Sequence, residues 1–385
     1  MIQLSEDELI KSKKLIALKK KSGTHSPSFH AIRKLGINVD IDGCFLSNPY
    51  ATDLFIDYMN KDLIETNKLR KYIELYPSQN TRIAHSLSKR LNISSEYLFI
   101  GNGAIEIIQA ILHRYVKGKI AIPIPTFSSY YEFLTDETTA CFYQLSKENN
   151  YKMDIDKYIN YIDENKINNA LIINPNNPDG GYIPQDKLVY ALESLKHLDT
   201  VILDESFIHF AKNGDNSLVR NEELIKKFPN LFIIKSLSKD FGIAGIRCGY
   251  AVVNPDVTNK LLSNGFLWNS SGLSEYFFNL YSENKFYSDY LLVREKYINE
   301  TEDMFLSLSK LKGIKVLPSN ANFYLIELTD GTLSSTLYAK LMIKYGIYVR
   351  NCSDKIGLKG QYIRLASRSK EENTQILKAF RELYS

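Results

Sequence analysis

Between residues 98 and 253 the chain sets down short apolar runs at intervals, and this pattern constrains its fold more than any other feature. The runs fall at residues 97–100, 119–122, 170–173, 200–203, 231–234 and 249–253. Apolar runs this short, separated by helix-like stretches, are the mark of strands buried on both faces of a largely parallel sheet. Ala104, Ile105, Ile108, Ile111 and Leu112 recur at helical spacing, which predicts a helix directly after Gly103. Residues 185–198 and 220–228 are candidate crossover helices. The expected fold class is therefore α/β, a mainly parallel sheet between helices.

The pattern changes near Ser270. Residues 274–311 read as one long helix, 322–326 as a strand, 333–345 as a helix, 346–350 and 361–365 as strands, and 370–384 as a closing helix. Helices packed on a small sheet make a second, smaller α+β domain, which the N-terminal segment is expected to join. The expected boundaries are 66–270 for the large domain and 1–65 with 271–385 for the small one. A chain of 385 residues is long enough for both.

Composition narrows the function classes. Hydrophobic residues make up 44% and charged residues 24%, ordinary for a globular protein. A net charge of +4 without a clustered basic stripe argues against a nucleic-acid partner. No run approaches the ~18 apolar residues of a membrane span. The four cysteines, Cys44, Cys141, Cys248 and Cys352, lack metal-ligand spacing. The expectation is a cytoplasmic protein with no metal, nucleic-acid or membrane partner.

Chemistry-bearing residues follow the strands. Gly101-Asn-Gly103 closes one run, Thr126-Phe127 another, Asn174-Pro-Asn-Asn177 a third, Asp204 a fourth and Ser236-Leu-Ser238-Lys239 a fifth. They should meet at the carboxyl edge of the sheet, where open α/β sheets bind ligands. A desolvated or charge-flanked lysine condenses readily with a carbonyl to form a Schiff base. Ser236 and Arg247 offer a hydroxyl and a planar cationic fork to a phosphate, and the Gly103-Ala104 helix start offers free amides. Asp204, at the end of an apolar strand, would want a cationic partner such as a protonated pyridine nitrogen. Asn177 could donate to a ring oxygen and Phe127 could stack on a flat ring. Aldehyde, phosphate and pyridine in one small molecule point to pyridoxal 5′-phosphate (PLP).

The combination of Asn177-Pro-Asp-Gly, Asp204-Glu, Ser236-x-Ser-Lys239 and Gly245-x-Arg247-x-Gly249 resembles the fold-type I PLP enzymes of the aspartate aminotransferase superfamily. The resemblance spans nearly the whole chain. It implies a Schiff-base role for Lys239, a pyridine contact for Asp204 and a ring-oxygen contact for Asn177. It further implies a phosphate cradle of Gly103, Ala104, Ser236 and Arg247, ring stacking by Phe127, and a cofactor contact for Ser238. Arg364 would bind the substrate α-carboxylate. Tyr76, in Leu-Tyr-Pro, matches a tyrosine that reaches the neighbouring subunit's cofactor phosphate, implying a homodimer.

Within that superfamily the chain is similar to the branch of histidinol-phosphate aminotransferase and threonine-phosphate decarboxylase, on Pro318-Ser-Asn-Ala-Asn322-Phe. His25, Phe207 and the segment Val349-Arg350-Asn-Cys352 lean toward the decarboxylase. Arg350 and His25 then become candidates to grip a substrate phosphate, and Asn48 completes the substrate-binding set. The expected activity is PLP-dependent decarboxylation of a small O-phosphorylated amino acid, serine phosphate or threonine phosphate. The alternative is an aminotransferase acting on a small phosphorylated substrate with glutamate as donor.

Overall fold

The computed structural model describes residues 4–212, 217–266 and 268–384. Its strands, in chain order, are β1 (Ile41–Gly43), β2 (Leu98–Asn102), β3 (Gly118–Ile124), β4 (Thr138–Gln144), β5 (Asn169–Ile173), β6 (Thr200–Asp204), β7 (Leu231–Ser236), β8 (Cys248–Val252), β9 (Ile314–Val316), β10 (Phe323–Leu328), β11 (Ile347–Asn351) and β12 (Tyr362–Ala366). They form two sheets.

The larger sheet has seven strands in the order β2-β8-β7-β6-β5-β3-β4. From β7 through β6, β5 and β3 to β4 every pairing is parallel, while β8 runs antiparallel to both β2 and β7. Both faces are covered. Val201, Leu203, Leu231 and Ile233 enter one core, and Ile202, Phe232 and Ile234 enter the other beside Ile107, Ile108 and Ile111 of helix Ala104–Tyr115. That two-sided burial is why these runs show no polar alternation. β4 escapes the apolar-run pattern because it is an edge strand, with only partly buried and exposed positions.

The smaller sheet has five strands in the order β1-β11-β12-β10-β9. Only β1 with β11 is parallel. Helix Glu6–Lys21 starts with a capping box between Ser5 and Glu8, and Glu8 pairs with Lys344 at 2.7 Å. Leu15 of this helix, Ile41 of β1 and the inner face of helix Ser334–Tyr345 share one core. The N-terminal segment thus packs with the smaller sheet. Ala51 and Phe55 of helix Pro49–Met59, and Leu63, join the core of the larger sheet instead.

The long helix expected over 274–311 is two helices, Gly272–Ser282 and Asn284–Leu308, parted at Glu283, whose backbone is extended. The break lets Phe277 and Tyr290, one on each helix, close on Phe241, with ring centroids 5.0 and 4.1 Å away. Aromatic packing there outweighs helix continuity, and it clamps the loop that carries Lys239. Among the described residues, no helix is long and apolar enough to cross a membrane.

Candidate active site

β2 and the parallel strands bring their carboxyl ends to one edge of the larger sheet. β8 runs the other way, so it brings its beginning there, with Arg247 just ahead of Cys248. Its register sets Gly249 opposite both Gly101 and Ser236. A cavity of about 250 Å³ opens at this edge, walled by both sheets. Its lining includes Ala104, Phe127, Asn177, Asp204, Ser236, Ser238, Lys239, Arg247, Arg350 and Arg364, together with His25.

Glycines let the backbone form an anion cradle at one end. A Cβ on Gly249 would lie 2.7 Å from the Ala104 amide nitrogen, and one on Gly103, whose φ is +77°, would lie 2.3 Å from Arg247 Nη2. Arg247 itself adopts left-handed φ and ψ of 68° and 55°, a conformation costing about 1–2 kcal/mol for a side-chain-bearing residue. Its Nη1 donates to Ala244 O at 3.0 Å and its Nη2 to Asn102 O at 3.3 Å. Strained backbone and carbonyl anchors aim the guanidinium at the start of helix Ala104–Tyr115, where free amides favour an anion.

Asp204 sits on the cavity floor. Ser206 N–H donates to its Oδ1 and the Tyr130 hydroxyl to its Oδ2, both at 2.8 Å. Burial raises the carboxyl's pKa despite these bonds. A buried acid in that condition is stabilised by a cationic N–H partner. Phe207, three residues on, packs edge-on against Phe323 at 5.1 Å and gives the wall a hydrocarbon ring without a hydroxyl.

Lys239 lines the same cavity as Asp204. Desolvation, then the charges of Arg364 and Arg247, push its ammonium down to about 8, with Asp42 and Cys44 opposing. Its carbonyl accepts from Asn48 N–H at 3.1 Å. The Asn48 side chain does not line the cavity: Oδ1 caps helix Pro49–Met59 by accepting from Tyr50 and Ala51 N–H. Asn48 therefore fixes the Lys239 loop, and its amide nitrogen is buried without a partner.

Arg364 reaches across from β12. Its Nη1 donates to Asn177 Oδ1 at 2.6 Å and its Nη2 to Cys44 O at 2.7 Å. Its Nε is buried without a partner, so the fork is pre-oriented with a donor still open. The bond also leaves the Asn177 amide nitrogen as that side chain's free donor.

At the far end, Arg350 of β11 donates from Nη2 to Thr24 O at 2.7 Å and to Asp354 Oδ2 at 2.6 Å, and from Nη1 to Asn351 O. Asp354 also takes Lys19 at 3.3 Å. His25 is more exposed and sits 3.2 Å from Glu132, which also accepts from Thr24. The structure thus brings Arg350 and His25 to the same wall. Tyr76 is 93% exposed and lies outside this chain's cavity lining. Sequence reasoning missed Tyr130 and Lys355, both buried at the site. Tyr130 carried one signal, its place three residues past Phe127 on the same turn.

The residues fit PLP. The glycine-and-Arg247 cradle suits its phosphate, Asp204 its pyridine nitrogen, Asn177 its ring oxygen and Lys239 its aldehyde. Comparison with known proteins agrees with this chemistry. The family model for aminotransferase class I and II matches residues 46–380. The chain is 51% identical to the L-serine phosphate decarboxylase Cj1436c of Campylobacter jejuni, covering 100% of this chain and 99% of that one. The solved structure of a decarboxylase from Sulfurospirillum multivorans superposes with a TM-score of 0.92 at 38% identity, covering 99% of each chain. A histidinol-phosphate aminotransferase from Clostridium acetobutylicum superposes less well, with a TM-score of 0.73 at 28% identity over 89% of this chain and 99% of that one.

Proposed function

The chain belongs to the aminotransferase class I and II family, and on that premise we propose that it is a PLP-dependent decarboxylase of O-phospho-L-serine. It releases carbon dioxide and leaves ethanolamine phosphate. One observation carries the reading: the cavity gathers Lys239, Arg247, Arg350, Lys355 and Arg364 around a single buried acid, Asp204. That excess of cations suits a cofactor phosphate plus a substrate with two anionic groups. Full-length likeness to serine phosphate decarboxylases supports this substrate over histidinol phosphate, which has no carboxylate.

Bound PLP supplies an electron sink that weakens a bond at the substrate's α-carbon. The protein's residues choose the bond. Arg364, fixed by Asn177 and Cys44, offers its open Nε to the α-carboxylate, and the Arg350 wall takes the phosphate. Two anchors on one small molecule set how the α-carbon is turned, and an ångström of displacement there changes rates by ~10²-fold. Lys239, with its amine near neutrality, returns a proton to the α-carbon after carbon dioxide departs. The hydrocarbon walls of Phe207 and Leu46 limit water at that point.

The working form is a homodimer in the cytoplasm, with the exposed Tyr76 reaching the second copy's cofactor phosphate. The test is to incubate purified, PLP-loaded protein with O-phospho-L-serine, with and without 2-oxoglutarate. Ethanolamine phosphate should form at the same rate in both. Glutamate that appears only with the keto acid would establish transamination instead.

A further inference from the structure

Lys355 is a cavity cation to which the reaction above gives no individual task. It lies in the loop after β11, is 8% exposed, and lines the same cavity as Lys239 and Arg364. Its ammonium donates to Thr126 O at 3.0 Å, which ties the loop to the turn after β3. Among the described residues it pairs with no carboxylate. The adjacent acid, Asp354, is already shared by Arg350 and Lys19, at 2.6 and 3.3 Å.

Arg350 is placed differently. Its two terminal nitrogens are engaged by Asp354 and by the carbonyls of Thr24 and Asn351, so its charge is answered and three of its five N–H groups are used within the wall. Lys355 makes one bond to a neutral carbonyl, which leaves two N–H groups and a whole charge. Burial, then the charge of Arg350, pushes its ammonium down to about 8. The attraction of an incoming anion offsets both effects. A phosphate monoester near pH 7 carries about −1.5 to −2 charges and three acceptor oxygens.

We propose that Lys355 is the specificity-determining cation for the substrate's phosphate, and that Arg350, held by Asp354, is the brace of the wall behind it. The identity of the ligand rests on the decarboxylase reading above. The placement of an unanswered buried cation in the cavity does not.

The test uses the PLP-loaded protein and three probes: ethanolamine phosphate, inorganic phosphate and L-serine, which has the amine and carboxylate but no phosphate. Lys355→Met should weaken ethanolamine phosphate and inorganic phosphate roughly 100-fold, the scale of losing one partner of a desolvated charge pair. L-serine, followed by its effect on the visible PLP spectrum, should bind within about threefold of wild type. Lys355→Gln keeps a donor for Thr126 O and should show the same selective loss. Lys355→Arg should recover most of the phosphate affinity. KM for O-phospho-L-serine should rise far more than kcat falls.

Two results would overturn the assignment. One is phosphate affinity within about threefold of wild type in both neutral variants. The other is an equal loss for L-serine, which would make Lys355 structural. A wild-type protein that releases no carbon dioxide from O-phospho-L-serine would defeat the decarboxylase reading alone. The phosphate titrations would still decide Lys355.

Discussion

Lys239 shows how much of the site lies in the immediate surroundings of one amine. Desolvation and two arginines bring it to about 8, so a substantial neutral fraction exists where a free lysine has almost none. Uptake of PLP by the cofactor-free protein should therefore quicken with pH and reach half its maximum near 8, as stopped-flow absorbance would show. A rate flat up to pH 10 would contradict this. The same shift has a sign for stability. Between about 8 and 10.5 the unfolded chain binds more protons at this residue than the folded one, so in the cofactor-free protein its destabilising effect is full below 8 and fades as pH rises through that window. For Asp204→Asn, which removes the buried charge facing the cofactor, turnover should fall by about 10²–10³-fold with little change in folding, measured by kcat and melting temperature. Asp204, Asn177 and Lys239 were legible in the sequence because Asp204 ends an apolar strand and the other two lie in the turns directly after one. Lys355 was not, because one lysine in a lysine-rich chain carries no signal until burial and a missing counter-charge set it apart.

Elements meet at the site through a few ties that no periodicity encodes. Lys235, fully buried on β7, donates to Glu205 O at 3.0 Å and to Asp240 Oδ2 at 2.7 Å. It thereby joins the residue after Asp204 to the residue after Lys239. Burial opposes the Asp240 charge, yet Lys235 and His209 together hold that carboxyl below the usual range. Replacing Lys235 with Met should cost about 3–5 kcal/mol by denaturant melts, because it leaves a buried acid short of a cation, and it should lower PLP occupancy. A cost under about 1 kcal/mol would show that the tie is dispensable. Gly249→Ala should destabilise by about 1–3 kcal/mol and weaken PLP binding, since the added Cβ meets backbone at 2.7 Å rather than a side chain that could move. Strands buried on both faces were legible from their short apolar runs. The edge strand β4 was not, since its apolar residues are interleaved with polar ones over a short span; helix Ile155–Glu164 went unread although Ile155, Tyr158, Ile159 and Ile162 fall at helical spacing. The break at Glu283 was also hidden, because it is set by Phe241, distant in sequence, and not by a local breaker.

At the scale of the whole molecule the cavity lies at the junction of the two sheets, with Asp204, Lys239 and Arg247 coming from the larger and Arg350 and Arg364 from the smaller. Only the antiparallel turn of β8 lets Arg247 share an edge with Asp204 and Lys239, and the run at 249–253 gave no direction by itself. The N-terminal segment closes the far wall through His25, which the sequence pointed to, and through Thr24, whose carbonyl accepts from Arg350. Tyr76 is 93% exposed, and the dimer proposed above gives it a second chain to meet. Wild-type protein should sediment as a dimer, and Tyr76→Phe should lower PLP affinity while leaving the dimer intact. The central claim is that this assembly breaks the bond to the α-carboxylate. The most direct measurement is release of labelled carbon dioxide from carboxyl-labelled O-phospho-L-serine by the PLP-loaded protein without any keto acid. One labelled carbon dioxide for each ethanolamine phosphate formed is the predicted result. Label retained in a carboxylate product, with amine transferred to 2-oxoglutarate when it is supplied, would contradict it.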